Sequence, residues 1–199
     1  MSHRTDDLPP LKGLPHLLRE LRYHEASRQT FALVLVFIYA ATAQPLPWLV
    51  VPGVPIALAG VVVRLYASGF IVKNQELATD GPYRFVRHPL YSGNILLVTG
   101  AAIAGSRWWG VPLAAFFFWF YYPPAIEYED RKLRRIFGAA WEQWAERTPA
   151  LAPRLGGQRS SAASKWSFGI SLRRNGELVF VVFCAACMAW ITWRAVAAL

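Results

Sequence analysis

Pro52-Gly-Val-Pro-Ile-Ala-Leu-Ala-Gly-Val-Val-Val-Arg-Leu-Tyr-Ala-Ser-Gly-Phe-Ile-Val72 runs for 21 residues with one charged side chain, Arg64. About 20 mostly apolar residues in a helix cross the hydrocarbon core of a bilayer, so this stretch reads as a membrane span. Four further apolar blocks accompany it, at 30–49, 90–104, 108–126 and 178–196. The block at 90–104 is short and meets the next through Gly105-Ser106-Arg107. It is either a tight hairpin or a span shielded by its neighbours. The fold class that follows is all-α: a polytopic membrane protein with about five transmembrane helices and an amphipathic cytoplasmic helix.

Charge sets the orientation. The 199-residue chain carries a net charge of +9, which by itself would suit nucleic acid. Five spans with a cytoplasmic N-terminus put residues 1–29, 73–89 and 127–177 inside, and those segments hold 18 of the 21 Lys and Arg residues. That distribution obeys the positive-inside rule and favours contact with anionic headgroups of membrane lipids. The charges are scattered around apolar helices rather than gathered on one soluble face, which argues against a nucleic-acid partner. Residues 1–29 are too polar for a signal peptide and lack a small-residue cleavage site.

Four regions follow. Residues 1–29 form a cytoplasmic segment, disordered over 1–10, in which Leu11, Leu14, Leu17, Leu18 and Leu21 recur at helical spacing as an interfacial helix. Residues 30–153 hold the membrane core. Residues 154–177 are a basic linker, rich in Gly, Ser and Ala over 154–165 and flexible by that composition, and residues 178–199 hold the last span. Pro45, Pro47, Pro52 and Pro55 break the chain between the first two spans. Cys184 and Cys187, at i and i+3 in the last span, share a face as helix packing or as a redox or metal pair.

The loop Gly81-Pro-Tyr-Arg-Phe-Val-Arg-His-Pro-Leu-Tyr-Ser-Gly93 carries far more chemistry than a membrane turn needs. Asp80-Gly81-Pro82-Tyr83 is a turn signal. Pro89 suits the first position of a helix and puts His88 near its N-cap, where Arg87 and the helix dipole favour an anion. Tyr91 and Asn94 follow within the first turns, and Gly93 permits close approach of a backbone or a ligand. The alternative is an interfacial anchor, with Arg84 and Arg87 on lipid phosphates and Tyr83 and Tyr91 at the headgroups. Residues 127–146 read as a helix of about five turns, whose apolar stripe is Leu133, Ile136, Phe137, Ala140, Trp141 and Trp144. Glu129 heads that stripe and needs a partner there, an Arg or a polar ligand. Arg64 within its span equally needs a cavity or a partner; Glu129, Glu127 or a ligand would serve.

These two blocks resemble the signature of the integral-membrane methyltransferases, which include isoprenylcysteine carboxyl methyltransferase and the phospholipid N-methyltransferases. The second block is Glu129-Asp-Arg-Lys-Leu133, then Phe137-Gly138, Trp141, Trp144, Thr148-Pro149 and Pro153. Together the blocks cover residues 60–153. The resemblance implies S-adenosylmethionine as methyl donor, bound on the cytoplasmic side by Gly81, Pro82, Tyr83, Arg87, His88, Pro89, Tyr91, Gly93, Glu129 and Asp130, with Arg64, Arg87 and Glu129 in catalytic roles and no metal. It implies a lipophilic or lipid acceptor, in the first instance a carboxylate. Asp130 stands where the family has a second glutamate, and Trp141 and Trp144 where it has tyrosines. An arginine usual just before the paired acids is missing from Ala125-Ile126-Glu127-Tyr128, so that either another arginine such as Arg64 replaces it or the substrate differs. A phospholipid N-methyltransferase, an NADPH-dependent membrane sterol or enone reductase and a non-catalytic lipid-binding protein are the alternatives.

Overall fold

Every regular element is helical among the residues that the computed structural model describes, which are 4–5, 8–72, 74–154, 166–174 and 177–199. Of the flexible linker expected at 154–177, residues 155–165, 175 and 176 lie outside them. Helices α1 (Leu14–Tyr23) and α2 (Glu25–Ala41) meet at extended His24, whose ring accepts the Ser27 N–H and caps α2. Then come α3 (Pro47–Ser68), a single 3-10 turn at Gly81–Arg84, α4 (Pro89–Ala104), α5 (Gly110–Phe137), α6 (Ala139–Arg147), a short π turn at Ile170–Arg174 and α7 (Glu177–Val196).

Helices α3 and α7 are long and apolar enough to cross a membrane, and α4 is a shorter apolar helix. The apolar blocks expected at 30–49, 52–72 and 108–126 have other boundaries, α3 ending at Ser68. Residues 47–49 open α3, and α2 stops at Ala41. Pro47 sits at the first helical position, where its missing N–H costs nothing. Pro52 and Pro55 lie inside α3 and do not break it. Each removes one backbone bond, but an apolar helix of this length cannot expose its backbone in hydrocarbon and stays helical around them.

The larger correction concerns α5. It runs unbroken through Pro123 and Pro124 to Phe137, so the expected helix at 127–146 is the charged end of a 28-residue helix followed by a separate one. The break falls at Gly138, with φ +52°. The expected stripe therefore divides between α5 and α6, and Ile136 is exposed.

The α3–α4 pair is the spine of the bundle, and glycine makes it so. A Cβ on Gly60 would lie 2.4 Å from the Gly93 carbonyl oxygen, and one on Gly93 would lie 2.8 Å from that of Gly60. Close backbone approach of this kind is how small residues join membrane helices. At one end of the bundle, Gln44 N–H donates to Gly105 O at 3.1 Å and Arg107 Nε to Thr42 O at 2.6 Å. These bonds tie the α2–α3 turn to the α4–α5 turn. The opposite end gathers the starts of α2, α4 and α7, the end of α3 and the charged half of α5. Cys184 and Cys187 are free and buried in the core.

Candidate active site

The loop entering α4 is held by backbone before any ligand is considered. Gly81 has φ +58°, and a Cβ on it would meet the Phe70 ring at 2.3 Å, so both conformation and space demand glycine there. His88 is the N-cap residue and Pro89 the first residue of α4. The segment after α6 then runs beside this loop. Arg87 N–H donates to Pro149 O at 2.8 Å and His88 N–H to Ala150 O at 3.0 Å, while Arg154 N–H donates to Phe85 O at 3.1 Å. Pro149, Ala150 and Arg154 thus act as a brace for the loop.

Side chains complete the frame. Arg87 donates through Nη1 to the carbonyls of Ala145 and Thr148, at 3.2 and 2.7 Å, and through Nη2 to Asp130 Oδ2 at 3.0 Å. It ties the start of α4 to α5 and α6. The His88 ring is wedged between two carboxylates, with Nε2 at 3.0 Å from Asp130 Oδ1 and Nδ1 at 3.4 Å from Glu129 Oε2. Tyr91 OH donates to Glu129 Oε1 at 2.5 Å, and its ring stacks on His88. Asp130 is one methylene shorter than the residue the resemblance led us to expect, yet it reaches both Arg87 and His88.

Apart from Asp130, these groups border a cavity of about 290 Å³, near the small end of the range for ligand sites. Tyr83, Arg87, His88, Pro89, Tyr91 and Glu129 line it, as does Arg64. Gly81, Pro82, Gly93 and Asp130 do not: Gly81 and Gly93 serve chain packing, Pro82 opens the 3-10 turn, and Asp130 stands behind Arg87 and His88. Arg64 also departs from expectation. It donates to Glu177 through Nε at 3.2 Å and Nη2 at 2.7 Å, and to Asn94 Oδ1 through Nη1 at 2.8 Å. Its partner is the first residue of α7 and not Glu129 or Glu127, because α7 packs on α3. Arg64 is therefore bound by protein on three nitrogens and is poorly placed to stand in for the missing arginine.

Sequence reasoning missed Glu177 and Arg28. Arg28, in the first turn of α2, is 4% exposed, lies over the Tyr91 ring at 4.8 Å and comes within 4.0 Å of Glu129. A charged residue at the mouth of an apolar run was the available signal for both.

The cluster is electrostatically self-consistent. Burial by itself lowers the His88 pKa, but hydrogen bonds to Asp130 and Glu129, and their negative charges, outweigh it and raise the value above 6.5. Burial pushes the two carboxylates up, yet the bond and charge of His88 bring both below their ordinary values, helped by Tyr91 and Arg28 at Glu129 and by Arg87 at Asp130. Imidazolium is the form that donates to both carboxylates. A raised imidazole contributes its full stability below its unfolded pKa and loses it as pH rises through the folded one. The lowered carboxylates contribute above their unfolded values and lose it as pH falls through their folded ones. Thermal unfolding followed against pH should show a plateau between the two ranges, with an alkaline decline that His88→Gln removes. An unchanged alkaline decline in His88→Gln would show that His88 is not its source.

Residues 56–140, which contain α3 from Ile56 onward, α4, the loop and both acids, match the phospholipid methyltransferase family. Over that stretch the chain is similar to the integral-membrane methyltransferases. The cobalt-zinc-cadmium resistance protein CzcN of Cupriavidus metallidurans is 38% identical over 125 residues, 62% of this chain and 56% of that one. Protein-S-isoprenylcysteine O-methyltransferase B of Arabidopsis thaliana is 29% identical over 85 residues, 41% of each chain. Methanethiol S-methyltransferase 2 of Bradyrhizobium diazoefficiens is 33% identical over 93 residues, 46% of this chain and 34% of that one. The chain spans 56% of the length of the first relatives it matches. No solved structure matches it. Helices α1, α2 and α7 lie outside residues 56–140, yet α2 and α7 contribute Arg28 and Glu177 to the cavity wall.

Proposed function

We propose that this chain transfers a methyl group from S-adenosylmethionine to a lipophilic acceptor, most simply a carboxylate, at the cavity between the two signature blocks. The observation that carries the proposal is that His88 and Tyr91 from the first block and Glu129 from the second meet on one cavity wall through direct hydrogen bonds and ion pairs.

The residues present fit such a donor. Glu129 keeps 36% of its side chain exposed, on the cavity side, and suits an ammonium group or ribose hydroxyls. Trp144 borders the same space with a buried indole N–H that has no partner. Tyr83 and Tyr128 also border it, and an aromatic face tolerates a cation. S-adenosylmethionine, when bound, supplies a methyl carbon already attached to a good leaving group. What remains for the protein is to align the reactants and exclude water. His88, engaged on both ring nitrogens, holds Glu129 and Tyr91 in place; it is not free to act as a base. A carboxylate acceptor requires none.

The membrane reading rests on the surface. Large apolar side chains, among them Val51, Val62, Phe116, Trp119, Val179 and Val182, point outward around the helices, an amount of exposed apolar area that suits lipid and not water. The exposed leucines of α1 suit the interface. With the basic residues gathered at the cavity end, that end faces the cytoplasm, the donor enters from there and the acceptor enters sideways from the bilayer.

Two of the relatives bear the names of metal-resistance proteins. Among the described residues, no group of three or more His, Cys, Asp or Glu side chains is arranged to hold a metal ion, and the methyl-transfer reading is the one the cavity supports. The test uses membranes containing the full chain and S-adenosylmethionine labelled in the methyl group. The expected result is label in the organic-solvent extract, lost as volatile methanol on mild alkaline treatment, which marks a methyl ester. Extracted label that survives alkali would favour an N-methylated lipid, and label no greater than in control membranes would refute methyl transfer.

A further inference from the structure

The cavity wall contains a cation whose charge the protein does not fully answer. Arg64 has Glu177, Arg87 has Asp130, and Arg4 has Glu25. Arg28 differs. Its side chain is 5% exposed, and Nη1 is buried with no hydrogen-bond partner. Its nearest carboxylate is Glu129, whose Oε1 is 4.0 Å from Nη2, beyond hydrogen-bond range, and already accepts from Tyr91 OH. The Tyr91 ring face lies beneath the guanidinium at 4.8 Å.

A guanidinium carries five N–H donors and stays charged at any physiological pH. Burying one without a full set of acceptors is costly, and such a residue keeps its place when a ligand supplies what the protein withholds. Arg28 lines the cavity. It sits in the first turn of α2, at the end where a polar headgroup and an apolar tail would part company. The ring beneath it fixes the plane of the guanidinium, leaving an edge for a bidentate partner.

We propose that Arg28 is the carboxylate-binding residue of this site: its guanidinium edge takes a ligand carboxylate and so fixes the position of that ligand in the cavity. The inference rests on the methyl-transfer reading for the identity of the ligands but not for the chemistry it assigns to Arg28. Two carboxylates are candidates, that of the methionine part of the donor and that of an amphiphilic acid acceptor. Arg28 lies outside residues 56–140, so the family match says nothing of it.

The test measures affinities of the purified full chain in lipid nanodiscs for two matched pairs: S-adenosylmethionine with its decarboxylated form, and farnesoic acid with farnesol. Wild-type protein should prefer the carboxylate in at least one pair. Arg28→Gln should lose roughly 10- to 100-fold on that carboxylate, the range of one charge-assisted hydrogen-bond pair, and leave its carboxylate-free analogue unchanged. Arg28→Lys should keep part of the preference, and thermal unfolding of each variant checks the fold. A loss confined to the first pair makes the donor the source; one confined to the second makes it the acceptor. The proposal is overturned if wild type prefers the carboxylate in neither pair, if Arg28→Gln keeps the preference, or if both members of a pair weaken together. Wild type that binds neither form of the donor refutes the methyl-transfer reading, and the acid–alcohol pair still decides the role of Arg28.

Discussion

Glu177→Ala should destabilise the protein by roughly 3–5 kcal/mol, the cost of leaving one half of a buried ion pair without the other. Glu177 accepts two hydrogen bonds from Arg64, and the two side chains are 6% and 12% exposed. Removing the carboxylate strands a guanidinium inside an apolar helix, with Asn94 and the Phe180 ring as its remaining neighbours. Solvent screening cannot rescue it there. The double variant Arg64→Met with Glu177→Leu removes both charges and should recover most of the loss, since apolar replacement of a whole buried pair is often neutral. Thermal unfolding in detergent reads both variants. A drop in the double variant as large as in the single one would show that the charges matter in themselves, for instance to a ligand, and not as a pair that docks α7 on α3.

His88→Ala should lower methyl transfer by about 100-fold or more, the scale on which small misplacements at a reacting centre are felt. The imidazole separates Glu129 from Asp130 and stacks on Tyr91. Without it, two carboxylates on adjacent residues face an empty space, and Tyr91 loses the surface that holds its ring against Glu129. Asp130→Asn should cost less, because Arg87 keeps its bonds to the carbonyls of Ala145 and Thr148. The contrast is measured by initial rates at saturating donor, with folding checked by unfolding temperature. Equal losses in the two variants would mean that the cluster acts as a rigid block, with no special part for His88.

How much of this was legible in the sequence depended on the range of the interaction. The loop from Gly81 to Gly93 was readable because its signals are local: a proline at the first position of α4, a histidine before it, a glycine at the turn. The α3 and α7 helices followed from run length. Helix continuity was not readable, because Pro123-Pro124 and the change from apolar to charged residues both imitate a boundary within α5. The need for a partner at Arg64 was clear, but the partner lies 113 residues away on a helix whose docking no local pattern specifies. Arg28 was hidden for the same reason. Its sequence neighbours are those of an interfacial segment, and only the packing of α2 against α4 brings it to Tyr91. Asp130 taught the reverse lesson. Its shorter side chain looked like a defect beside the family pattern, and the fold brings it to both Arg87 and His88.

The two signature blocks matter because they enclose one space, and the most direct test is whether that space takes the methyl donor. Calorimetric titration of purified full-length protein with S-adenosylmethionine should show saturable binding at one site per chain, weakened at least tenfold by Glu129→Gln, which keeps the size of the side chain and removes its charge. Wild-type protein that takes up no S-adenosylmethionine, or Glu129→Gln that binds it as tightly as wild type, would contradict the assignment of this cavity as the donor site.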